Sequence, residues 1–319
     1  MEAQTNRNRP FSAYLLVGPT AAGKTAVAQW IAEKKGWPIL SADSMLVYRG
    51  MTVGTAKPSQ EERRRVRYWG VDLVNPCDAF NVAMFVEEAR RCLESLVSGQ
   101  GLIVAGGTGL YIRALIEGLD DVPAGAPSAR SRWQHILETE GIEGLQRALQ
   151  ERNQAWFDGL ADKQNPRRLI RALEGHEAGM AGPRRSWKSR EGSPLVAGIS
   201  VNREDLHRRI EERVLAMYGS GLLEETRALL DGGEGWSPTA SQAIGYKEAA
   251  ACLGGRLSRD KAMALTVIRT RQFAKRQMTW FRNQLAVQWI DVERGAPVES
   301  VARRVLETWE MIGATPLGI

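Results

Sequence analysis

Gly18, Pro19, Thr20, Ala21, Ala22, Gly23, Lys24 and Thr25 stand at the spacing G-x-x-x-x-G-K-[ST], after the apolar run Tyr14-Leu-Leu-Val17 and ahead of a helix-like segment, Thr25–Lys34. Backbone N–H groups of such a turn and of the following helix N-terminus surround phosphate oxygens. Lys24 adds a point charge on the outer phosphates, and the Thr25 hydroxyl holds a divalent cation that bridges them. The loop specifies a polyphosphate and leaves the reaction open.

Two further positions carry chemistry. Asp43 ends a second short apolar segment, Trp37–Ser41. A carboxylate one strand away from a polyphosphate either ligates its metal or takes a proton from an incoming nucleophile, and an Asp-Ser pair also suits a helix N-cap. Thr108 follows the Gly106-Gly107 turn, and its hydroxyl either points into the same crevice or bonds its own turn. The segment Leu102–Ala105 runs into those glycines, where kinases and hydrolases place a carboxylate for Mg²⁺. Ordinary phosphoryl transfer is disfavoured by that absence.

A long helical segment, Arg259–Gln288, contains Arg269, Arg271, Lys275, Arg276 and Arg282. At about 100° per residue, Arg271, Lys275 and Arg282 fall within roughly 40° of one another, with Phe273 and Trp280 on the other side. This pattern suits a helix that packs by one face and tracks phosphates by the other, and equally a solvated charged face. Asn165-Pro-Arg167-Arg168 with Arg171 forms a second basic cluster.

The elements that must position these residues alternate. Strand-like runs at 14–17, 37–41, 102–105 and 195–201 are interleaved with helical patterns at 25–34, 83–98, 205–217, 222–230, 243–253 and 259–288. Asp205 is placed as the cap of the helix in which Leu206, Ile210, Val214 and Met217 share a face. Turn residues crowd Gly118–Pro127, Ser128–Ala178 is helical without a strand, and Gly179–Pro194 is a basic loop with Arg184, Arg185, Lys188 and Arg190. The expected fold is α/β: a P-loop-type parallel sheet core flanked by helices, with a smaller helical insertion domain. Residues 1–120 form the first part of the core, 121–194 the insertion and basic loop, and 195–319 the return to the core with C-terminal helices.

Composition narrows the class. At 319 residues the chain has room for two domains. The net charge of +6 and pI near 9.4 fit a polyanionic partner. No run approaches the roughly 18 apolar residues of a membrane helix, and the polar start Met1–Pro10 has no signal-peptide core, so a cytoplasmic location without membrane contact is expected. Cys77, Cys92 and Cys252 are too scattered for a zinc knuckle or a disulfide framework. The 10 tryptophans exceed what either domain obviously requires.

Taken in order, six blocks resemble the bacterial tRNA dimethylallyltransferases: the phosphate loop; Asp43-Ser-Met-Leu-Val-Tyr-Arg-Gly-Met51 with Gly54-Thr-Ala-Lys-Pro58; Gly106-Gly-Thr-Gly-Leu-Tyr111; Asn165-Pro-Arg-Arg-Leu-Ile-Arg-Ala-Leu-Glu174; Gln242-Ala-Ile-Gly-Tyr-Lys247; and Thr270-Arg-Gln-Phe-Ala-Lys-Arg-Gln-Met-Thr-Trp-Phe-Arg282. The resemblance implies transfer of a dimethylallyl group from its diphosphate to N6 of adenosine 37, beside the anticodon. The phosphate loop, Gly18 to Thr25, then holds the leaving diphosphate with Arg213, and Mg²⁺ sits at Thr25. It makes Asp43 the base on N6 and Thr108 a holder of the adenine, so that Asp43, Thr108, Lys24 and Arg213 form the catalytic set.

By the same resemblance the tRNA anticodon stem-loop is met by Asp43, Ser44, Met45, Leu46 and Thr108, by Arg130, and by Gln164, Asn165, Pro166, Arg167 and Arg168. Gln242, Ala243, Ile244, Gly245, Tyr246 and Lys247 follow, and then Arg271, Lys275, Arg276 and Arg282. Leu46 departs from relatives that carry Gln there. The enzyme is expected to act as a monomer. Competing classes are a P-loop kinase or NTPase, a non-catalytic RNA binder, and a prenyltransferase acting on free adenosine phosphates; the long basic helix argues against the last.

Overall fold

The computed structural model describes residues 11–119, 127–160, 162–182 and 194–319. Two compact units divide the chain: Met1–Gly118 with Arg190–Ile319, and Leu119–Ser189. In the first unit the elements run β1 (Ser12–Val17), α1 (Lys24–Lys35), β2 (Ile39–Ser41), α2 (Gln60–Arg65), β3 (Tyr68–Trp69), α3 (Val82–Glu94), β4 (Ile103–Gly106) and α4 (Gly109–Glu117). The second unit contributes α5 (Pro127–Gly159) and α6 (Pro166–Glu177). Back in the first come β5 (Leu195–Val201), α7 (Arg203–Gly219), α8 (Leu222–Asp231), α9 (Tyr246–Leu253), α10 (Arg259–Gln284), β6 (Ala286–Val292), α11 (Val298–Ile312) and β7 (Thr315–Pro316).

The sheet order is β3-β2-β4-β1-β5-β6, with every one of these pairs parallel and β7 added antiparallel to the start of β1. Parallel strands covered on both faces need apolar residues on both faces, and β1 supplies them by alternation. Leu15 and Val17 face the cluster built with Phe85, Ile112, Ile210 and Phe281, whereas Leu16 faces α1 and α11 through Val27, Ile31, Val301 and Val305.

Three expectations need correction. The long basic helix stops at Gln284, and Ala286–Val292 is a strand paired with β5 along its whole length. A short parallel strand gains its partner from residues some ninety positions earlier, so local periodicity does not announce it. The helix expected over 243–253 starts at Tyr246, because the Glu248 carboxylate accepts the Gly245 N–H at 2.7 Å and fixes the helix start there. Asn202, not Asp205, caps α7: its side-chain oxygen accepts the Asp205 N–H at 2.9 Å, and its amide donates to the Asp205 carboxylate at 2.6 Å.

The second unit packs Trp133, Leu145, Leu149, Trp156, Leu169 and Leu173 into its own core. Helix α5 breaks at Gly141 and Asn153, which have non-helical backbone angles. The basic-loop residues Arg184, Arg185, Lys188 and Arg190 lie outside the described residues. Four tryptophans find a use as fillers against glycines. An ideal Cβ at Gly101, Gly109, Gly175 or Gly198 would lie 2.6, 2.2, 2.6 or 2.9 Å from the indoles of Trp37, Trp280, Trp156 and Trp289 respectively.

Candidate active site at the carboxyl ends of the strands

β1, β2 and β4 end side by side, and the turns that leave them are the phosphate loop, the Asp43 turn and the Gly106-Gly107 turn. Open α/β sheets bind ligands in this crevice. A cavity of about 510 Å³ lies there, and its charged lining comes from Lys24, Asp43, Arg209, Glu212 and Arg213. Three bases against two acids give it an excess of positive charge. Thr25 opens onto it from the first turn of α1, and Leu46 closes one wall.

The phosphate loop owes its shape to glycine. Gly18 has φ +147°, and a Cβ there would stand 2.6 Å from the Ile199 carbonyl oxygen of β5; Gly23 (φ +95°) sets the start of α1. Lys24 donates to the Pro19 carbonyl at 2.7 Å. Burial pushes the Lys24 ammonium down to about 8, Asp43 opposing that shift and Arg213 adding to it. Lys24 therefore remains largely protonated at neutral pH.

Helix α7 buries Leu206, Ile210 and Val214 on one side and turns Arg209, Glu212 and Arg213 to the cavity on the other. Their i, i+3, i+4 spacing makes this one face. Arg213 donates to the Thr55 carbonyl at 3.0 Å, and Arg209 reaches the Ala22 carbonyl at 3.4 Å. Burial lowers the Arg213 guanidinium from its ordinary value and Asp43 counters it.

Asp43 uses one carboxylate oxygen to accept the Met45 N–H at 2.9 Å, a turn bond that does not make it a helix cap. The Thr108 hydroxyl does not bond its own turn. It accepts the Ser44 N–H at 3.1 Å, and the Thr108 N–H donates to Ala42 at 3.0 Å, so Thr108 ties the end of β4 to the end of β2 beside Asp43.

Residues 46–284 match the family model described as IPP transferase. The chain belongs to that family.

The chain is 43% identical to a tRNA dimethylallyltransferase of Geobacter metallireducens over 287 residues, 87% of this chain and 91% of that one. It is 39% identical to the tRNA dimethylallyltransferase of Desulforudis audaxviator over 306 residues, 93% and 97% of the two chains. The crystal structure of a tRNA delta(2)-isopentenylpyrophosphate transferase from Staphylococcus epidermidis, 31% identical, superposes with a TM-score of 0.66 over 94% of this chain and 99% of that one. A eukaryotic dimethylallyltransferase acting on tRNA, 20% identical, shares the fold with a TM-score of 0.70, over 94% of this chain and 76% of that one.

The expected RNA-facing positions divide by exposure. In the second unit, Arg130, Gln164, Arg167 and Arg168 are exposed, while Asn165 caps α6 by accepting the Arg167 N–H at 3.1 Å, with Pro166 next in the helix. Near α9, Gln242 and Lys247 are exposed and Ile244 is half-buried. Ala243, Gly245 and Tyr246 are buried. Tyr246, 0% exposed, accepts the Gly54 N–H at 3.1 Å and donates to Glu225.

On α10, Lys275, Arg276 and Arg282 face solvent, whereas Arg271 is half-buried in an ion pair with Glu211 of α7. The basic stripe is thus two residues plus a neutralised third. Arg276 also lies over the Phe273 ring at 5.9 Å.

The charged residues of the site without an assignment from sequence are Arg209 and Glu212. Arg209 and Glu212 had only the helical spacing to Arg213 as a signal. Gln277 sits in the long basic helix yet is turned inward, 7% exposed. Its side-chain oxygen accepts the Thr20 N–H at 2.8 Å and its amide donates to the Gly107 carbonyl at 2.9 Å.

The lining also fits Mg²⁺. Among the described residues no cluster of three acidic, histidine or cysteine side chains could hold a metal by itself. An exposed Thr25 hydroxyl on a phosphate cradle, with Asp43 on the same cavity, suits an ion bound mainly through substrate oxygens and water.

Proposed function

We propose that this chain transfers a dimethylallyl group from dimethylallyl diphosphate to N6 of adenosine 37 in the anticodon loop of tRNA, acting as a monomer in the cytoplasm. The observation that carries the reading is the meeting of Lys24, Arg213 and Asp43 around one cavity. The C1–O bond of the allylic diphosphate breaks with its electron pair leaving on oxygen, the N6–C1 bond forms, and the N6 proton passes to Asp43. Negative charge develops on the departing diphosphate, where Lys24, Arg213 and the loop N–H groups stabilise it. The Thr25 hydroxyl would hold Mg²⁺, which would supply further positive charge there. An exocyclic amine is a weak nucleophile because its lone pair is delocalised into the ring, which gives the Asp43 carboxylate its task.

The adenine reaches the crevice only if it is flipped out of the loop. Lys275, Arg276 and Arg282 with Gln242 and Lys247, and separately Arg130, Arg167 and Arg168, offer exposed polar and basic side chains to the RNA backbone. A site drawn from one chain's own core unit supports a monomer. No described helix is long and apolar enough to cross a membrane.

Incubation with labelled dimethylallyl diphosphate, Mg²⁺ and unmodified tRNA, with AMP and ATP as controls, tests the reading. Label is expected on adenosine 37 and absent from AMP, with ATP left intact. Preferential labelling of AMP, or ATP turnover as the sole activity, overturns it.

A further inference from the structure

We propose that Gln277 is a positioning residue that sets the distance between the two halves of the active site. The inference rests on the proposed transfer reaction. Gln277 uses both ends of its amide on two different strand-end turns: its oxygen holds Thr20 in the phosphate loop, and its nitrogen holds Gly107, one residue before Thr108. Thr108 in turn fixes Ser44 next to Asp43. The diphosphate end and the base end of the cavity are therefore connected through one side chain, delivered by a helix whose outer face carries Lys275, Arg276 and Arg282.

The connection is built for contact. An ideal Cβ at Gly107 would lie 2.2 Å from the Gln277 amide nitrogen, while the next nearest group outside Gln277, the Gly18 carbonyl oxygen, is 3.6 Å away. Gly107 is thus a notch cut for this amide. Gly109 does the same for Trp280, one turn further along α10, where an added Cβ would stand 2.2 Å from the indole. The helix is seated at two points on the turn that carries Thr108.

Group transfer requires C1 and N6 to be held within contact distance and in line, and small errors in that placement act on the chemical step more than on binding. Gln277→Ala is expected to lower kcat by about tenfold or more, while leaving the Kd values for inorganic diphosphate and for unmodified tRNA within about threefold. Gly107→Ala is expected to cost a comparable factor, because the added methyl displaces the amide. In the Gln277→Ala background the same Gly107→Ala change has room and is expected to cost less than about twofold, so the double variant resembles the single one.

Independent, multiplying losses overturn the proposal, as does a Gln277→Ala variant with unchanged kcat or with its loss confined to Kd. Gln277→Glu keeps the size and the bond to Thr20 but sets a carboxylate oxygen against the Gly107 carbonyl, so a folded variant is available if truncation unfolds the chain. It is expected to lose kcat likewise, and wild-type kcat in that variant overturns the proposal. Failure of the wild type to prenylate tRNA rejects the reaction and this role together. An active wild type with insensitive variants rejects the role of Gln277 alone.

Discussion

The two ends of the cavity are held in different ways. At the diphosphate end the turn itself comes from neighbours in sequence, since Gly18 and Gly23 allow it and Lys24 closes it on Pro19, and the long-range holds are Gln277 on Thr20 and Arg209 on Ala22. At the base end the chain from Asp43 to Pro58 is pinned by side chains from far away. The Glu225 carboxylate accepts the Thr52 N–H at 3.1 Å and the Val53 N–H at 3.0 Å, and Tyr246 holds Gly54. Lys57, buried, donates to the Tyr48 carbonyl and to Asp72, both at 2.7 Å. An anion cradle takes its turn from its own residues because it is made of backbone, and α10 only tethers it. A pocket that must admit a base and aim a carboxylate needs a shaped wall, and this wall is braced by α8 and α9.

The largest effect should come from removing the base itself. Asp43→Ala is expected to lower prenyl transfer by about 10²- to 10⁴-fold while tRNA affinity holds; unchanged turnover would reject the assignment of Asp43. Next, Glu225→Gln is expected to weaken the braced end alone. Charge-assisted bonds to two backbone N–H groups and the Tyr246 hydroxyl lose strength, at about 1.5–3 kcal/mol for a bond to a charged group. The thermal midpoint and the tRNA reaction should both fall, with inorganic diphosphate binding spared. Equal loss of diphosphate binding would show that the two ends are not separately supported.

A pH series sharpens the contrast from the other side. In the proposed reaction the ammonium form of Lys24 binds diphosphate, and burial brings its pKa down to about 8. A bound anion raises that pKa, so binding near pH 8 should take up part of a proton, and affinity should fall as pH rises from 7 to 9. Calorimetry in buffers of different ionisation enthalpy measures the uptake, and a pH-independent affinity would remove Lys24 from the contact. The smallest change is expected on the outer face of α10. Replacing Arg271, Lys275 and Arg282 by Gln should reduce the salt dependence of tRNA binding by about two charges and not three, since Arg271 is already paired with Glu211. A loss of three would mean that RNA displaces Glu211.

The phosphate loop, the strands at 14–17, 102–105 and 195–201 and the helical character of 128–178 were legible because each is signalled within a few residues, by glycine spacing, an apolar run or helical periodicity. Strand β6 was not, since its pairing with β5 is a long-range fact, and α10 was accordingly drawn too long. Only the family resemblance counts Tyr246 among the RNA-facing positions; its own neighbours in sequence carry no sign of its burial. It is buried because its hydroxyl finds Glu225 and Gly54.

The sequence alone determined a glycine-rich turn between a strand and a helix, an α/β plan and an acid and a hydroxyl candidate at strand ends, because backbone turns and alternating burial depend on neighbours along the chain. Tertiary structure alone decided that Gln277 joins Thr20 to Gly107, that Thr108 serves Ser44, and that Arg209 and Arg213 share one wall. Those relations are distances between residues far apart in the chain, and only the folded packing of α7 and α10 against the strand ends sets them.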